Sequence, residues 1–251
     1  MTAHAPLFHN QLLAMLPAAE LARLEPCLEA VELEAGELLH APDEEHSGVW
    51  FPAGAVISLG MLLDDGATIE VAMVGSEGLL GASRVLGGGG MPWQASVQIG
   101  GAAFRLKSAL LAEAMERDER VRHCLLRYAQ TLLAQVAQGA ACNQHHSVEQ
   151  QLCRWLLQVL DRIPGSRILA TQERIAGNLG VRREGVTVAA KKLQRLGIVD
   201  YGRGCIVVLD RSRLTEMACE CYAAIRREEE RFARFDNASM RNRTDQVARY
   251  S

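Results

Sequence analysis

Between Arg182 and Arg195 the sequence RREGVTVAAKKLQR sets Arg182, Arg183, Thr187, Lys191, Lys192 and Arg195 on one side at helical spacing. Guanidinium and ammonium groups arrayed this way suit phosphate oxygens, and a guanidinium fork can also take two acceptors of a base edge at once. The opposite side, Val186, Ala189, Ala190, Leu193 and Leu196, is apolar and expected to face inward. A basic face needs something to hold it out, and the preceding residues supply it. Gln172 to Leu179 places Ile175, Ala176 and Leu179 on one helical face, with Thr171 as N-cap and Glu173 in the first turn. Gly180, free to adopt positive φ, ends that segment. Small Ala176 at a close crossing, Gly180 in the turn and apolar Val181 and Val186 beyond it form a helix-turn-helix pattern. Two β-branched runs follow, Gly197–Asp200 and Cys205–Leu209, around the basic turn Tyr201-Gly202-Arg203-Gly204, which reads as a hairpin wing.

The rest of the chain must position and control this module. At 251 residues it is too long for one winged helix and fits two modest domains. The net charge of −3 hides a split: residues 1–146 hold 8 Lys/Arg against 17 Asp/Glu, and residues 147–251 hold 19 against 13. The front half is thus at −9 and the back half at +6, which places phosphate contact in the back half and sensing in the front. No apolar run approaches the ~18–20 residues of a membrane span, no signal peptide is evident, and seven scattered cysteines fit reduced thiols in a cytoplasm.

Residues 7–30 suggest short helices broken at Pro17 and Pro26. From Val31 onward short runs of period-two character, punctuated by Gly36, Gly54, Gly66, Gly75, Gly87–Gly90 and Gly100-Gly101, predict a β-roll. The Gly87–Gly90 run reads as a surface turn, because no helix with Lys-Ser/Thr follows it as a P-loop requires. From about Asp118 to Ala141 a proline-free stretch sets Val121, Leu125, Tyr128, Leu132, Gln135, Gly139 and Cys142 at alternating four- and three-residue spacing. That pattern predicts a dimer seam on a rod near ~37 Å long. Residues 143–147 form a hinge, Ser147 with Gln150 forms a capping box, and the next helix buries Leu152, Trp155, Leu156, Val159 and Leu160 before Pro164-Gly165 ends it.

Ala35-Gly36-Glu37-Leu38-Leu39, the Gly75-Ser76-Glu77-Gly78 corner, the long helix and the winged helix, in that order, resemble the Crp/Fnr family (cyclic-AMP receptor protein / fumarate-nitrate regulator) of bacterial transcription factors over roughly residues 10–222. The resemblance implies an α+β chain. Residues 1–116 would be a jelly-roll sensor related to cyclic-nucleotide-binding domains, 117–146 a dimerisation helix and hinge and 147–222 the winged helix-turn-helix; beyond the resemblance, the composition of 223–251 reads as a charged tail, helical at first and then disordered. It implies double-stranded DNA, a second copy of the chain and RNA polymerase as partners, and a possible small-molecule effector. Arg183 and Glu184 match the family's base readers, where Arg takes guanine O6/N7 and Glu accepts from cytosine N4. Thr187 and Val188 complete the base-reading set. Val188 stands where the family often has an arginine and offers only a methyl contact, so the half-site should depart from the common one. Thr171, Gln172, Arg182, Lys191, Lys192 and Arg203 are assigned to phosphates.

For the sensor, the resemblance places an effector pocket at Glu77, Gly78, Leu79, Trp93 and Gln94. The arginine that would neutralise a cyclic phosphate is missing near Pro92–Ala95, and Arg84 is misplaced for it, so an altered pocket or none is expected. No cofactor is assigned. Cys27 stands alone where the family's iron–sulfur members carry a cluster, and nothing marks out His40, His46 or His123 as a haem ligand. Cys219 and Cys221, two apart on a presumed helix and near Cys205, read as packing cysteines rather than metal ligands, and His145-His146 as a solvated junction. No catalytic acid–base pair or nucleophilic triad is apparent, so the competing reading is a signalling adaptor rather than an enzyme.

Overall fold

The computed structural model describes residues 7–44 and 48–247, with side chains through Arg234. His46 lies outside the described residues.

After a 3₁₀ turn at Leu7–His9, α1 (Gln11–Ala14) begins at the N-cap Asn10, and α2 (Ala18–Leu24) begins after Pro17, whose fixed φ suits a helix start. A second 3₁₀ turn carries Pro26. The roll consists of two antiparallel sheets. β1 (Glu29–Leu33) joins one, and β2 (Leu38–His40) the other. β3 (Gly48–Pro52), β4 (Val56–Leu62), β5 (Thr68–Val74), the short α3 (Ala82–Val85), β6 (Trp93–Ile99) and β7 (Gly101–Lys107) follow. The sheets are ordered β1-β7-β3 and β2-β6-β4-β5. Ile57, Leu59, Ala72, Val74, Ala95 and Val97 from the second sheet meet Leu33 and Ala103 from the first in a shared core.

α4 (Ser108–Arg117), not foreseen in the sequence, leads to Asp118, whose carboxylate caps α5 (Glu119–His145) by accepting from the Arg120 N–H at 2.8 Å. Its 27 residues make a rod of about 40 Å. The backbone breaks at His146, and Ser147 with Gln150 closes the expected capping box at the start of α6 (Val148–Leu160). β8 (Arg167–Leu169), α7 (Gln172–Leu179), α8 (Arg183–Arg195), β9 (Val199–Gly202) and β10 (Cys205–Val208) complete a winged helix, in which β10 pairs with both β8 and β9. α9 (Arg211–Met217) precedes α10 (Glu220–Val247), one continuous helix that returns along α5.

Helix thus replaces the expected polar tail as far as Val247. α10 is charged, yet Tyr222, Ile225 and Phe232 are buried along it. Phe232 joins the core of Leu12, Leu125 and Tyr128, with its ring centroid 6.0 Å from that of Tyr128 at a 55° tilt. No helix among the described residues is long and apolar enough to cross a membrane.

Candidate nucleic-acid interface

The two helices that carry the basic face are fixed by local chemistry. Thr171 accepts from the Arg174 N–H at 3.2 Å and so starts α7. Gly180, at φ +65, ends it, with Gly180 N–H donating to Gly177 O and Val181 N–H to Ala176 O, both at 3.0 Å. This Schellman closure needs a residue free to be left-handed at the turn. Ile175, Ala176 and Leu179 of α7 then pack on Val186, Ala189 and Leu193 of α8 and on the fully buried Trp155 side of α6. Leu196, expected inside, caps α8 and is exposed.

With the apolar side of α8 consumed, Arg182, Arg183, Glu184, Val188, Lys191 and Arg195 face solvent. Val188 is 66% exposed, so its isopropyl group stands open on the same face. Arg183 lies 3.7 Å from Glu173 in a solvated pair. The Thr187 hydroxyl donates to Gln172 Oε1 at 2.6 Å, which ties two of the expected contact residues to each other. Lys192 is paired with Glu149 at 2.7 Å, so its ammonium is already engaged at the start of α6. In the wing, Cys205 pairs with Gly202 across a two-residue turn with Arg203 at φ +51 and Gly204 at φ +74. Two left-handed residues match the twist of a tight hairpin, and they push the Arg203 side chain out at its tip.

The winged helix is docked on the roll. Arg174 donates to Val97 O at 2.6 Å, Asn178 to Gln98 Oε1 at 3.1 Å, and the Trp155 indole to Glu70 Oε1 at 3.0 Å. Val56 and Met73 of the roll enter the winged-helix core itself. Glu70 also accepts from the Ser58 hydroxyl at 2.5 Å. Burial of the carboxylate outweighs these donors and nearby Arg154, and raises its pKa to about 7. At the far end of α6, the buried Arg162 donates to Glu77 Oε1 at 2.9 Å and to Glu229 Oε1 at 2.7 Å. Burial opposes the charge on Arg162, but the two carboxylates more than offset this and keep it protonated. One guanidinium therefore joins the roll, the winged helix and α10.

That placement corrects the expected effector pocket. Glu77 is spent on Arg162, and Gly78 lies so close under Tyr128 that a Cβ there would meet its ring. Leu79 is fully buried, and its carbonyl accepts from the Tyr128 hydroxyl at 2.9 Å. Trp93 lines, with Leu79, a void of about 10 Å³, room for a single water rather than a nucleotide. Gln94 is on β6 and donates to Thr68 at 3.2 Å. The five residues do not form one pocket. A larger cavity of about 250 Å³ lies between α5, α6 and α10, lined by Met73, Tyr128, Gln135, Arg162, Arg226 and Glu229 among others.

The expected dimer seam is corrected as well. Val121, Leu125, Tyr128 and Leu132 are buried in the chain's own cores. Gln135 Oε1 accepts from the Met73 N–H at 3.1 Å, and Gly139 faces the Val71 carbonyl. The stripe left outside is the neighbouring one: Leu126, Gln130, Leu133, Ala137, Ala140 and Gln144, at the same four–three spacing, with Leu126 44% and Leu133 55% exposed.

A site that sequence reasoning missed lies where α5 ends. Cys142, His146, Cys219 and Cys221 bring their sulfur and nitrogen atoms within 4.8 Å of one another. The expectation of packing cysteines and no metal ligands assumed that Cys219 and Cys221 share a helix. In the structure α9 ends at Met217, Ala218 is extended and α10 starts at Glu220, so Cys-x-Cys straddles a helix junction and both thiols turn to one side. Cys205 is not in the group.

The architecture is a β-roll joined by a long helix to a winged helix-turn-helix. Residues 150–217 match the family model of the Crp-like helix-turn-helix domain. No curated protein matches the chain. Among solved structures, a putative Crp/Fnr-family regulator from Eubacterium rectale aligns over 84% of this chain and 98% of its own, with TM-score 0.65 and 18% identity. FixK2 from Bradyrhizobium japonicum aligns over 76% and 98%, with TM-score 0.64 and 19% identity. The c-di-GMP responsive global regulator CLP from Xanthomonas campestris aligns over 76% and 99%, with TM-score 0.62 and 15% identity. Residues 150–217 thus carry a Crp-like helix-turn-helix domain, and the chain as a whole shares the fold of these Crp/Fnr-type structures.

Proposed function

We propose that the chain is a transcription regulator of the Crp/Fnr type that binds a palindromic DNA site as a homodimer, and that the roll controls the attitude of the two winged helices. The observation that carries this reading is the open face of α8, whose cations and bare Val188 methyls project from a packed winged helix. In this role Arg183 and Glu184 read base edges, Val188 takes a thymine methyl, and Thr187 holds Gln172 beside them. Arg182, Lys191, Lys192 and Arg203 neutralise phosphates, Lys192 after leaving Glu149, and the Thr171 hydroxyl and Gln172 position the start of α7 on the backbone.

One recognition helix reads a few base pairs, and two placed ~34 Å apart read a palindrome. The exposed stripe Leu126–Gln144 on α5 supports pairing with a second copy, since its apolar and small residues repeat at coiled-coil spacing and nothing among the described residues covers them. Regulation acts on the docking of the winged helix on the roll, through Arg174 and Asn178 of α7 and through Trp155 of α6 on Glu70.

Selection from a random DNA pool, followed by mobility shifts at increasing salt, tests the reading. A selected inverted repeat is expected, with log affinity falling against log salt at a slope of roughly −7 for eight phosphate-facing cations per dimer. Sequence-independent binding, or a chain carrying Leu126→Asp and Leu133→Asp that still binds as a dimer, would overturn it.

A further inference from the structure

We propose that Cys142, His146, Cys219 and Cys221 form a closed zinc site that staples both passages between the sensor and the winged helix. Two of the six edges have the length of a tetrahedral shell, and all six lie within 4.8 Å. With Zn–S near ~2.3 Å and Zn–N near ~2.0 Å, the edges of such a shell are about 3.8 Å between sulfurs and about 3.5 Å from sulfur to nitrogen. Cys142 Sγ lies 3.5 Å from Cys219 Sγ, and Cys221 Sγ lies 3.5 Å from His146 Nδ1. Three sulfurs and one imidazole in a largely buried pocket are the donor set of a structural zinc centre, and thiolates select zinc over hard cations.

The surroundings carry the same sign. His146 turns Nδ1 toward the sulfurs, while its Nε2 lies 3.2 Å from the Glu220 carboxylate. A carboxylate on the outer nitrogen fixes the tautomer that leaves the inner lone pair free for a metal. Gln138 Nε2 donates to Cys221 Sγ at 3.1 Å, an N–H···S bond that favours a thiolate. Packing cysteines in an apolar core require neither arrangement.

The backbone gives the staple its consequence. Cys142 and His146 lie one turn apart at the end of α5, and the His146 N–H donates to Cys142 O at 3.0 Å. The chain leaves the sensor at Ser147 and returns at Ala218, so Cys219 and Cys221 sit on the return passage. One ion would tie together residues as far apart in sequence as Cys142 and Cys221, 79 positions, and hold the two hinges of the winged helix in a single knot. Metal binding to four such groups releases thiol protons and contributes directly to the stability of the fold around it.

The full-length reduced protein, stripped with chelator, is titrated with Zn²⁺ against a chromophoric competitor, and in parallel with Co²⁺. One tight equivalent per chain is expected, with the visible d–d bands and thiolate charge transfer of tetrahedral Co²⁺. Cys142→Ser and Cys221→Ser should weaken binding by more than ~100-fold. Glu220→Gln, at an exposed side chain whose change leaves the fold intact, should weaken it ~10–100-fold at unchanged stoichiometry. Cys27→Ser and Cys205→Ser should leave it unchanged. Absence of a stoichiometric ion, an octahedral Co²⁺ spectrum, equal loss in Cys205→Ser, or unaltered affinity in Glu220→Gln would overturn the site. So would a Cys142–Cys219 disulfide in protein prepared with Zn²⁺ present.

Discussion

Replacing Glu70 with glutamine should abolish a specific part of the protein's pH dependence. The Glu70 carboxylate lies between the Ser58 hydroxyl and the Trp155 indole, where the roll meets α6. Burial lifts its pKa from 4.5 to about 7. A group whose folded pKa is raised favours folding when protonated. Its contribution is therefore fully present below pH 4.5 and is lost as pH rises through 7. Each pKa unit corresponds to ~1.4 kcal/mol, so the loss reaches about 3 kcal/mol once both states are ionised. This is a ceiling, because the residue keeps some exposure. Glutamine keeps an acceptor for the indole and never ionises. The difference in unfolding free energy between Glu70→Gln and the parent, from urea titrations at a series of pH values, should be small near pH 4.5 and climb through pH 7 in favour of glutamine. Taking the difference cancels every other titrating group. A flat difference would mean that the carboxylate is hydrated, and that α6 is not docked on β5 in solution. A difference of opposite sign would mean that the charged hydrogen bonds outweigh burial.

Three further outcomes follow from named contacts. Arg162→Met should destabilise the chain by about 3–5 kcal/mol in thermal or urea unfolding, because Glu77 and Glu229 lose the cation they share, and adding Glu77→Gln with Glu229→Gln should restore most of it. Phe232→Ala should cost about 3–5 kcal/mol, since the ring is buried against Tyr128; a negligible cost would show that α10 is not packed on α5. Arg183→Ala should weaken binding to a selected site by ~1–3 kcal/mol and relax preference at one base pair, and an unchanged selected sequence would remove Arg183 from the base readers.

The parts legible from the residues were those governed by short-range chemistry. Thr171, Gly180 and the apolar spacing of Ile175, Leu179, Val186 and Ala189 determine the helix pair within some twenty residues, because caps, turn dihedrals and helical period are local. The Ser147–Gln150 box and the glycine-punctuated strands were readable for the same reason. Where the wing's strands end differed by about two residues from expectation, since the turn type depends on pairing register rather than composition.

The long helix shows where local reading stops. Two stripes on α5 have the same four–three spacing, one through Val121 and Leu132, the other through Leu126 and Leu133. Period alone cannot say which is covered. The roll and α10 decide it, by burying the first and leaving the second to solvent. Glu77 likewise matched a pocket corner by sequence, yet a guanidinium 85 residues away claimed it.

The sequence by itself determined the winged helix: a helix pair, its basic face and the wing, all set by interactions a few residues long. Only the tertiary structure decided what that module is fastened to. The docking of α7 on the roll, the return of α10 and the meeting of Cys142 and His146 with Cys219 and Cys221 join segments tens of residues apart, whose proximity no local spacing encodes.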